Sequence, residues 1–209
     1  IEIDPNYALA YAGLADTYIV LPEYGHLSPG KACPKAKVAA LKALQIDDEL
    51  AEAHNSLAGV MSGYDWDFAG AEKEHKRAIE LNPGYATARQ WYANLLSWLG
   101  RHEEAIREVR IARNLDPLSP IICLNVGADF YAERQYGQAL EELNHALDVD
   151  PKFWITHMYL GLTYEAMGEY EEALKYFLRY IELSRGSEDR DYNVAACYAL
   201  TGKRTEARK

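Results

Sequence analysis

Residues 150–183 contain one copy of a pattern that returns along the chain, DPKFWITHMYLGLTYEAMGEYEEALKYFLRYIEL. The copy begins with an acidic residue followed by proline. The pairs Asn82-Pro83, Asp116-Pro117 and Asp150-Pro151 succeed one another at intervals of 34 residues, and Asp4-Pro5 opens the chain with the same kind of dipeptide. A fixed period of this length predicts a chain built from repeated copies of one supersecondary unit, each packed against its neighbours.

Small residues recur at fixed positions in the copies. One column contains Ala15, Ala58, Ala93, Gly127, Gly161 and Ala195, and a second contains Ala36, Ala71, Ala105, Ala139, Ala173 and Ala207. Apolar residues at helical spacing flank these columns on both sides of Gly168. Each copy therefore predicts two antiparallel amphipathic helices, with small residues where the helices approach, a glycine ending the first and a proline ending the second. We expect Ala105, Ala139 and Ala173 to be buried where the two helices of a hairpin meet.

The pattern resembles the tetratricopeptide repeat family, whose unit is a helical hairpin with the same period. Most of the family signature is present in residues 150–183, at Leu160-Gly161, Tyr164, Gly168, Tyr170, Ala173 and Phe177. The tryptophan position of the family holds other residues here, namely Tyr11, His54, Arg89, Cys123, His157 and Asp191. The resemblance covers essentially the whole chain and implies an all-α fold, a right-handed superhelical solenoid of antiparallel helical hairpins.

The repeat register predicts a single array over residues 1–209, with about eleven helices and no strand. The units are expected at 8–48, 51–83, 86–117, 120–151, 154–185 and 188–209, the last of them truncated. Two insertions lengthen the first two intervals, one of nine residues within 21–35 and one of a single residue in the second unit. Because the second helix of the last unit is incomplete in this sequence, we expect Val194, Tyr198 and Leu200 to be exposed.

Charge and cysteine content restrict the function. With 32 acidic and 22 basic residues the formal net charge is -10, which disfavours binding to nucleic acid. No apolar run approaches the length of a membrane span, so no membrane partner is expected. The three cysteines, Cys33, Cys123 and Cys197, are far apart and form no CxxC motif. Reduced, packed thiols in a cytoplasmic protein are the simplest interpretation.

Motifs of catalysis are missing. The six histidines form no HExxH motif, and no G-x-S-x-G sequence occurs. Gly30-Lys31 and Gly202-Lys203 resemble phosphate loops only superficially, since each falls at a helical turn and lacks the remaining loop residues. We therefore expect no catalytic residue, no metal site and no cofactor, and we predict that the chain is not an enzyme.

The resemblance implies that certain positions on the first helix of each hairpin line a concave peptide groove. The candidate groove residues are aromatic, amide-bearing or apolar: Asn55, Gln90, Trp91, Asn94, Trp98, Asn125, Tyr131, Met158, Tyr159, Tyr192 and Asn193. The aromatic side chains could stack on a ligand and the asparagines could bind a peptide backbone. The alternative is that the rings pack against a neighbouring helix. We expect Trp91 to contribute to binding and little to stability.

Some members of the family bind C-terminal carboxylates through a clamp of lysine, arginine and asparagine. Asn94 and Asn125 match its asparagine positions, but the basic positions hold Gln90, Ile155 and Tyr159. The clamp is absent, and together with the negative charge this predicts a protein or peptide partner that is neutral or basic rather than acidic.

Residues 64–83, YDWDFAGAEKEHKRAIELNP, also resemble repeat arrays of large bacterial regulators. That resemblance implies a protein-interaction scaffold within a larger regulatory or signalling protein. Two alternatives stay open. The chain could be a self-assembly module that forms homo-oligomers through its ends, or an auxiliary domain of an enzyme such as a cyclase or a kinase.

Overall fold

The computed structural model describes residues 1, 4–22, 26–184 and 191–202. Within them the fold is all-α, as predicted, with eleven α-helices and no strand. The helices are α1 Ala8–Val20, α2 Pro29–Ile46, α3 Ala51–Val60, α4 Phe68–Leu81, α5 Ala86–Trp98, α6 His102–Leu115, α7 Pro120–Ala132, α8 Tyr136–Val149, α9 Trp154–Ala166, α10 Tyr170–Leu183 and α11 Asp191–Leu200.

The helices divide between two compact units, residues 1–115 with α1–α6 and residues 116–209 with α7–α11. Hairpins pair α1 with α2, α3 with α4 and α5 with α6 in the N-terminal unit, and α7 with α8 and α9 with α10 in the C-terminal unit. First helices of successive hairpins also contact one another, α1 with α3, α3 with α5, and α7 with α9. We call the side of these first helices that carries the candidate residues the first-helix face. A single continuous array stays a prediction.

Small residues sit at the closest approach of each hairpin. Ala105, Ala139 and Ala173 are fully buried, which confirms the prediction for these three residues. A Cβ added at Gly127 would lie 2.6 Å from Cγ of Leu143, and one added at Gly161 would lie 2.6 Å from Cδ1 of Phe177. These separations are below van der Waals contact, so the hairpins of the C-terminal unit need glycine where the N-terminal unit has alanine.

The turns inside three hairpins, α5–α6, α7–α8 and α9–α10, share one geometry. Gly100, Arg134 and Gly168 adopt left-handed backbone angles with φ of 73°, 59° and 82°. In each turn the next amide bonds back across the end of the first helix, for example Glu169 N to the Tyr164 carbonyl at 2.9 Å. This is the glycine-type helix cap that the sequence predicts at Gly100 and Gly168. Arg134 adopts the same conformation without the freedom of glycine.

The single-residue insertion of the second unit is absorbed by a π-helical turn, Met61–Asp65, that continues α3. A π-turn adds one residue to a helix without shifting the pattern on either side. Trp66 ends the turn in the left-handed region with φ 59°, and the Asp67 amide donates to the Met61 carbonyl at 2.9 Å. The insertion therefore leaves the register of α4 intact.

Polar side chains at the family's tryptophan position hold the loops between hairpins. In four units the residue there contacts the carbonyl oxygen six residues earlier: His54 Nε2 to Asp48 at 3.0 Å, Arg89 Nε to Pro83 at 3.4 Å, Cys123 Sγ to Pro117 at 3.5 Å and His157 Nε2 to Pro151 at 2.9 Å. A carbonyl only accepts, so each side chain donates. The departures from the family pattern thus have a structural role.

The last described helix is partly covered. Val194 and Tyr198 of α11 pack against a buried cluster that includes Phe177 and Cys197, so the expectation that both are exposed is wrong. Leu200 is exposed, as expected. The predicted second helix of the sixth unit, including Ala207, lies outside the described residues.

Candidate binding face on the first helices

In the N-terminal unit the candidate residues differ widely in exposure. Asn55 and Gln90 are buried, Trp91 and Asn94 are half-buried, and Trp98 exposes 64% of its surface at the end of α5. Trp98 is therefore the most accessible of the five. A ligand could reach Asn55 only after a rearrangement, because its exposure is 0%.

Trp91 packs against the preceding first helix. A Cβ added at Gly59 of α3 would lie 2.8 Å from Cζ3 of Trp91 and 3.4 Å from Cδ1 of Ile19. The ring thus occupies the space left by the missing side chain of Gly59. Packing against a neighbouring helix describes Trp91, and this contact contradicts the expectation that the side chain contributes little to stability.

Asn55 is anchored to a buried histidine. Its Oδ1 lies 2.9 Å from Nδ1 of His75, which is also buried. Burial lowers the pKa of His75 to about 3, so the imidazole is neutral and Nδ1 donates to the amide oxygen. The nitrogen of the same side-chain amide, Nδ2 of Asn55, is buried and has no acceptor within hydrogen-bond distance.

A group of polar residues lies beside Asn55 on the same face. The Ser56 hydroxyl is 2.5 Å from Oδ1 of Asp16 and 2.8 Å from the Glu52 carbonyl. Burial raises the pKa of Asp16, the Ser56 hydrogen bond opposes that shift, and the charge of Glu52 adds to it. Burial also raises the pKa of Tyr85, helped by the charges of Asp16 and Glu52. The charges of two carboxylates therefore act on one phenol.

In the C-terminal unit the same face is mainly aromatic. Tyr131, Met158 and Tyr159 are half-buried, and Asn125 is buried. On α11, Tyr192 exposes 80% of its surface and Asn193 is half-buried. Tyr192 is thus the most accessible of the candidate residues in this unit.

Tyr131 of α7 and Tyr159 of α9 form an edge-to-face pair. Their ring centroids are 6.1 Å apart with an interplanar angle of 88°, and Tyr136 of α8 lies 6.0 Å from Tyr131. Burial raises the pKa of both Tyr131 and Tyr159, so the phenols stay neutral. Burial also raises the pKa of Glu165, whose charge acts on Tyr131. This arrangement combines rigid rings with a nearby carboxylate.

Sequence reasoning did not predict a network of hydrogen bonds and ion pairs around Glu72 of α4. Glu72 of α4 accepts from Lys76, Tyr92 and Arg101, with Arg101 Nη1 2.9 Å from Oε2. Hydrogen bonds from Lys76, Arg101 and Tyr92 lower the pKa of Glu72 to about 2 although partial burial opposes them. Lys76 is visible in sequence as an i, i+4 partner, but Arg101 is not. The network joins α4 to α5 and the start of α6.

Within the described residues no three histidine, cysteine, aspartate or glutamate side chains come together as metal ligands. Cys33 is partly exposed, whereas Cys123 and Cys197 are buried, and burial raises the pKa of Cys197 to about 11. Of the helices that the structure describes, none has the length and hydropathy needed to cross a membrane.

Comparison with known proteins agrees with this architecture. Two tetratricopeptide repeat models match residues 66–121 and 127–188, together more than half of the chain. Human tetratricopeptide repeat protein 6 is 26% identical over 129 residues, 56% of this chain and 25% of that protein. The transcriptional regulator HilA of Salmonella typhimurium is 27% identical over 117 residues, 56% of this chain and 21% of that protein. The chain spans about a quarter or less of the length of these two relatives.

Solved structures show the same fold. A structure of PilF from Pseudomonas aeruginosa is 23% identical, with a TM-score of 0.72 over 95% of this chain and 89% of that one. The type IV pilus biogenesis factor PilW is 21% identical, with a TM-score of 0.81 over 96% and 89%. YrrB, described as having an unusual peptide-binding site, is 23% identical, with a TM-score of 0.58 over 81% and 87%. The chain belongs to the tetratricopeptide repeat family.

Proposed function

We propose that the chain is a non-catalytic scaffold that binds a peptide or an extended segment of a partner protein on its first-helix face. The observation that carries the proposal is the Tyr131–Tyr159 pair, two half-buried rings from successive first helices at a centroid distance of 6.1 Å. Each unit presents its own stretch of this face. Trp98 is exposed in the N-terminal unit; in the C-terminal unit Tyr192 is exposed and four further candidates are half-buried, namely Tyr131, Met158, Tyr159 and Asn193.

Rigid aromatic side chains are suited to recognition. Tyrosine and tryptophan offer a large contact area and lose little side-chain freedom on binding, which makes them frequent energetic centres of interfaces. The Tyr131 and Tyr159 rings already pack against each other, so less ordering is needed when a ligand arrives. Their half-buried state leaves one side of each ring accessible.

Charge supports a neutral or basic partner. The chain has a formal net charge of -10. Glu165, beside the tyrosine pair, forms no ion pair with any residue that the structure describes. A basic segment would be attracted to this face, and an acidic one would be repelled.

Selection from a library of random short peptides tests the proposal. Peptides enriched on the wild-type chain are synthesised, and their dissociation constants are measured by calorimetry. Tyr131→Ala should weaken them about tenfold or more, because a central aromatic anchor is removed. The matched control is Tyr170→Ala, which removes a half-buried tyrosine from the second helix α10 instead. Thermal melting confirms that both variants fold.

The outcome of that comparison is decisive. Binding that falls with Tyr131→Ala and not with Tyr170→Ala supports the first-helix face. A library that yields no specific peptide, or an equal loss for both variants, contradicts the proposal.

We also propose the wider context: a cytoplasmic regulatory protein of which this chain is the partner-binding part. Support comes from the similarity to HilA. An auxiliary role beside a cyclase or kinase domain is the alternative context. A fluorescent fusion of the full-length protein should be found in the cytoplasm, and export would contradict this assignment.

Self-assembly is the second candidate function, and α11 favours it. Tyr192 and Leu200 expose 80% and 56% of their surfaces on this helix. If this surface mediates self-association, light scattering should show a mass that rises with concentration, and Tyr192→Ser should suppress the rise. A constant monomer mass over the accessible range would contradict it.

A further inference from the structure

Asp16 and Glu52 form a pair of carboxylates on the first-helix face of the N-terminal unit. Asp16 belongs to α1 and Glu52 to α3, and the charge of one acts on the other. Neither carboxylate forms an ion pair with any residue in the part of the chain that the structure describes. Both are only partly exposed, so water screens their repulsion less than it would on an open surface.

One hydrogen-bond donor touches the pair. The Ser56 hydroxyl lies 2.5 Å from Oδ1 of Asp16, but it also lies 2.8 Å from the Glu52 carbonyl, and it has a single proton to donate. The other carboxylate of the pair receives no described side-chain donor. Two negative charges are therefore held near each other with less compensation than buried charge normally has.

Two further polar groups border the carboxylates. The Tyr85 phenol, at the beginning of α5, is close enough to Asp16 and Glu52 for both charges to raise its pKa. The Asn55 amide lies near the same phenol and acts on its pKa in the opposite direction, yet Nδ2 finds no acceptor within hydrogen-bond distance. A buried donor without a partner is rare in a folded protein and indicates that a ligand atom or water belongs nearby.

We propose that Asp16 and Glu52 bind a lysine or arginine side chain of the partner peptide, with the Tyr85 hydroxyl bonding the polar atoms next to it. The Asn55 amide can join this site only after the rearrangement that its burial requires. The inference rests on the proposed function and assigns one subsite of the same face. Carboxylates on adjacent helices can contact a planar guanidinium from two sides, and an ammonium can bridge them with two of its three protons.

A metal ion fits the site less well. Calcium takes at least six oxygen ligands, and magnesium requires a near-ideal octahedron. No group of three candidate metal ligands occurs here or elsewhere in the described residues. A cationic side chain needs only the two carboxylates and brings its own donors.

Titration of the wild-type chain with single amino-acid derivatives tests the subsite. The probes are Nα-acetyl-arginine amide, Nα-acetyl-lysine amide and Nα-acetyl-citrulline amide, the last matching arginine in shape without its charge. Amide resonances of Asp16, Ser56 and Tyr85 are followed by heteronuclear NMR. Arginine and lysine derivatives should shift them in a saturable manner, and the citrulline derivative should not.

Three variants remove one negative charge each, two at the site and one away from it. Asp16→Asn should weaken the arginine derivative about tenfold or more, because a charged hydrogen bond is replaced by a neutral one. Glu103→Gln, on an exposed residue at the start of α6, makes the same change in net charge away from the site. That control should leave the dissociation constant within about twofold, since exposed charges beyond a Debye length are screened. Glu52→Gln repeats the test should Asp16→Asn unfold.

Equal shifts with the arginine and citrulline derivatives would overturn the inference, as would equal binding by wild type and both site variants. Failure here and failure of the proposed function are distinguishable. If selected peptides bind through Tyr131 but contain no basic residue and ignore Asp16→Asn, the scaffold function stands and this subsite does not. If arginine binds and no peptide is ever selected, the scaffold function fails.

Discussion

At one repeat position, the second hairpin of the N-terminal unit carries a serine and the second hairpin of the C-terminal unit carries a tyrosine. Ser56 of α3 and Tyr159 of α9 occupy the same column. Trp91 of α5 and Asn125 of α7 fill this column in the two repeats between them. Ser56 is buried and bonds the Asp16 carboxylate, whereas Tyr159 is half-buried and packs on Tyr131. The helical hairpin fixes where this side chain lies, and the side chain determines whether the surface is acidic or aromatic.

Exchanging the two side chains should have the largest effect on stability among the substitutions that test this difference. Ser56→Tyr forces a ring into a site with no exposed surface, which should lower the free energy of unfolding by about 3 kcal/mol or more. Tyr159→Ser removes a partly buried ring and should cost about 2 kcal/mol. Urea denaturation measures both. Tyr159→Phe keeps the ring and is the control, so a loss as large as that of Tyr159→Ser would show that the hydroxyl and not the ring matters.

The two tryptophans of α5 differ in how far they are packed, although they lie within one unit. Trp91→Ala should cost about 2 kcal/mol of stability, because the ring packs on Gly59. Trp98→Ala should change stability by less than about 0.5 kcal/mol, because the ring is mostly exposed. Melting curves of the two variants provide the measurement. Equal midpoints would mean that Trp91 is not packed as the structure shows.

Hairpin interiors offer a test of how each unit uses glycine. Gly161 faces Phe177, while Ala93 of the N-terminal unit matches it in register and Val109 matches Phe177. Gly161→Ala should destabilise by about 1–2 kcal/mol, since the added methyl overlaps the ring. In a Phe177→Val background the same substitution should stabilise by about 0.5–1 kcal/mol, because helix propensity then dominates. The same sign in both backgrounds would exclude the steric explanation.

Acid should weaken the network around Glu72. Its pKa is lowered to about 2 in the folded protein, from 4.5, so the stabilisation is complete above the unfolded value and is lost as pH falls from about 4.5 to 2. After discounting for solvent screening we expect about 1 kcal/mol. Hydrogen exchange of α4–α6 at pH 6 and pH 3 reports the loss. Glu72→Gln should reduce this pH dependence, and an unchanged dependence would assign it to other carboxylates.

Sequence periodicity was enough to predict the helices and the small columns, because both follow from local spacing. Ala139 and Gly161 have the predicted role, and the insertion in the second unit keeps its register through a π-turn. The candidate face was harder to predict. Packing of Trp91 on Gly59 depends on how two successive first helices sit together, which no single repeat encodes.

The Asp16, Glu52 and Tyr85 cluster also escaped the sequence argument. Its members come from α1, α3 and the start of α5, so their proximity depends on the rotation of three helices about their own axes. The burial of Asn55 has the same origin, since His75 reaches it from the second helix of the hairpin. Spacing along the chain carries no signal for either arrangement.

The loop contacts made by His54, Arg89, Cys123 and His157 change how variation in this chain should be interpreted. An imidazole, a guanidinium and a thiol differ in size, charge and hydropathy, yet each donates a hydrogen bond to the carbonyl six residues earlier. Leucine at any of these positions would leave a carbonyl without its donor. Residue identity therefore does not reveal the shared role of this position, which becomes visible only as a hydrogen bond to the carbonyl six residues earlier.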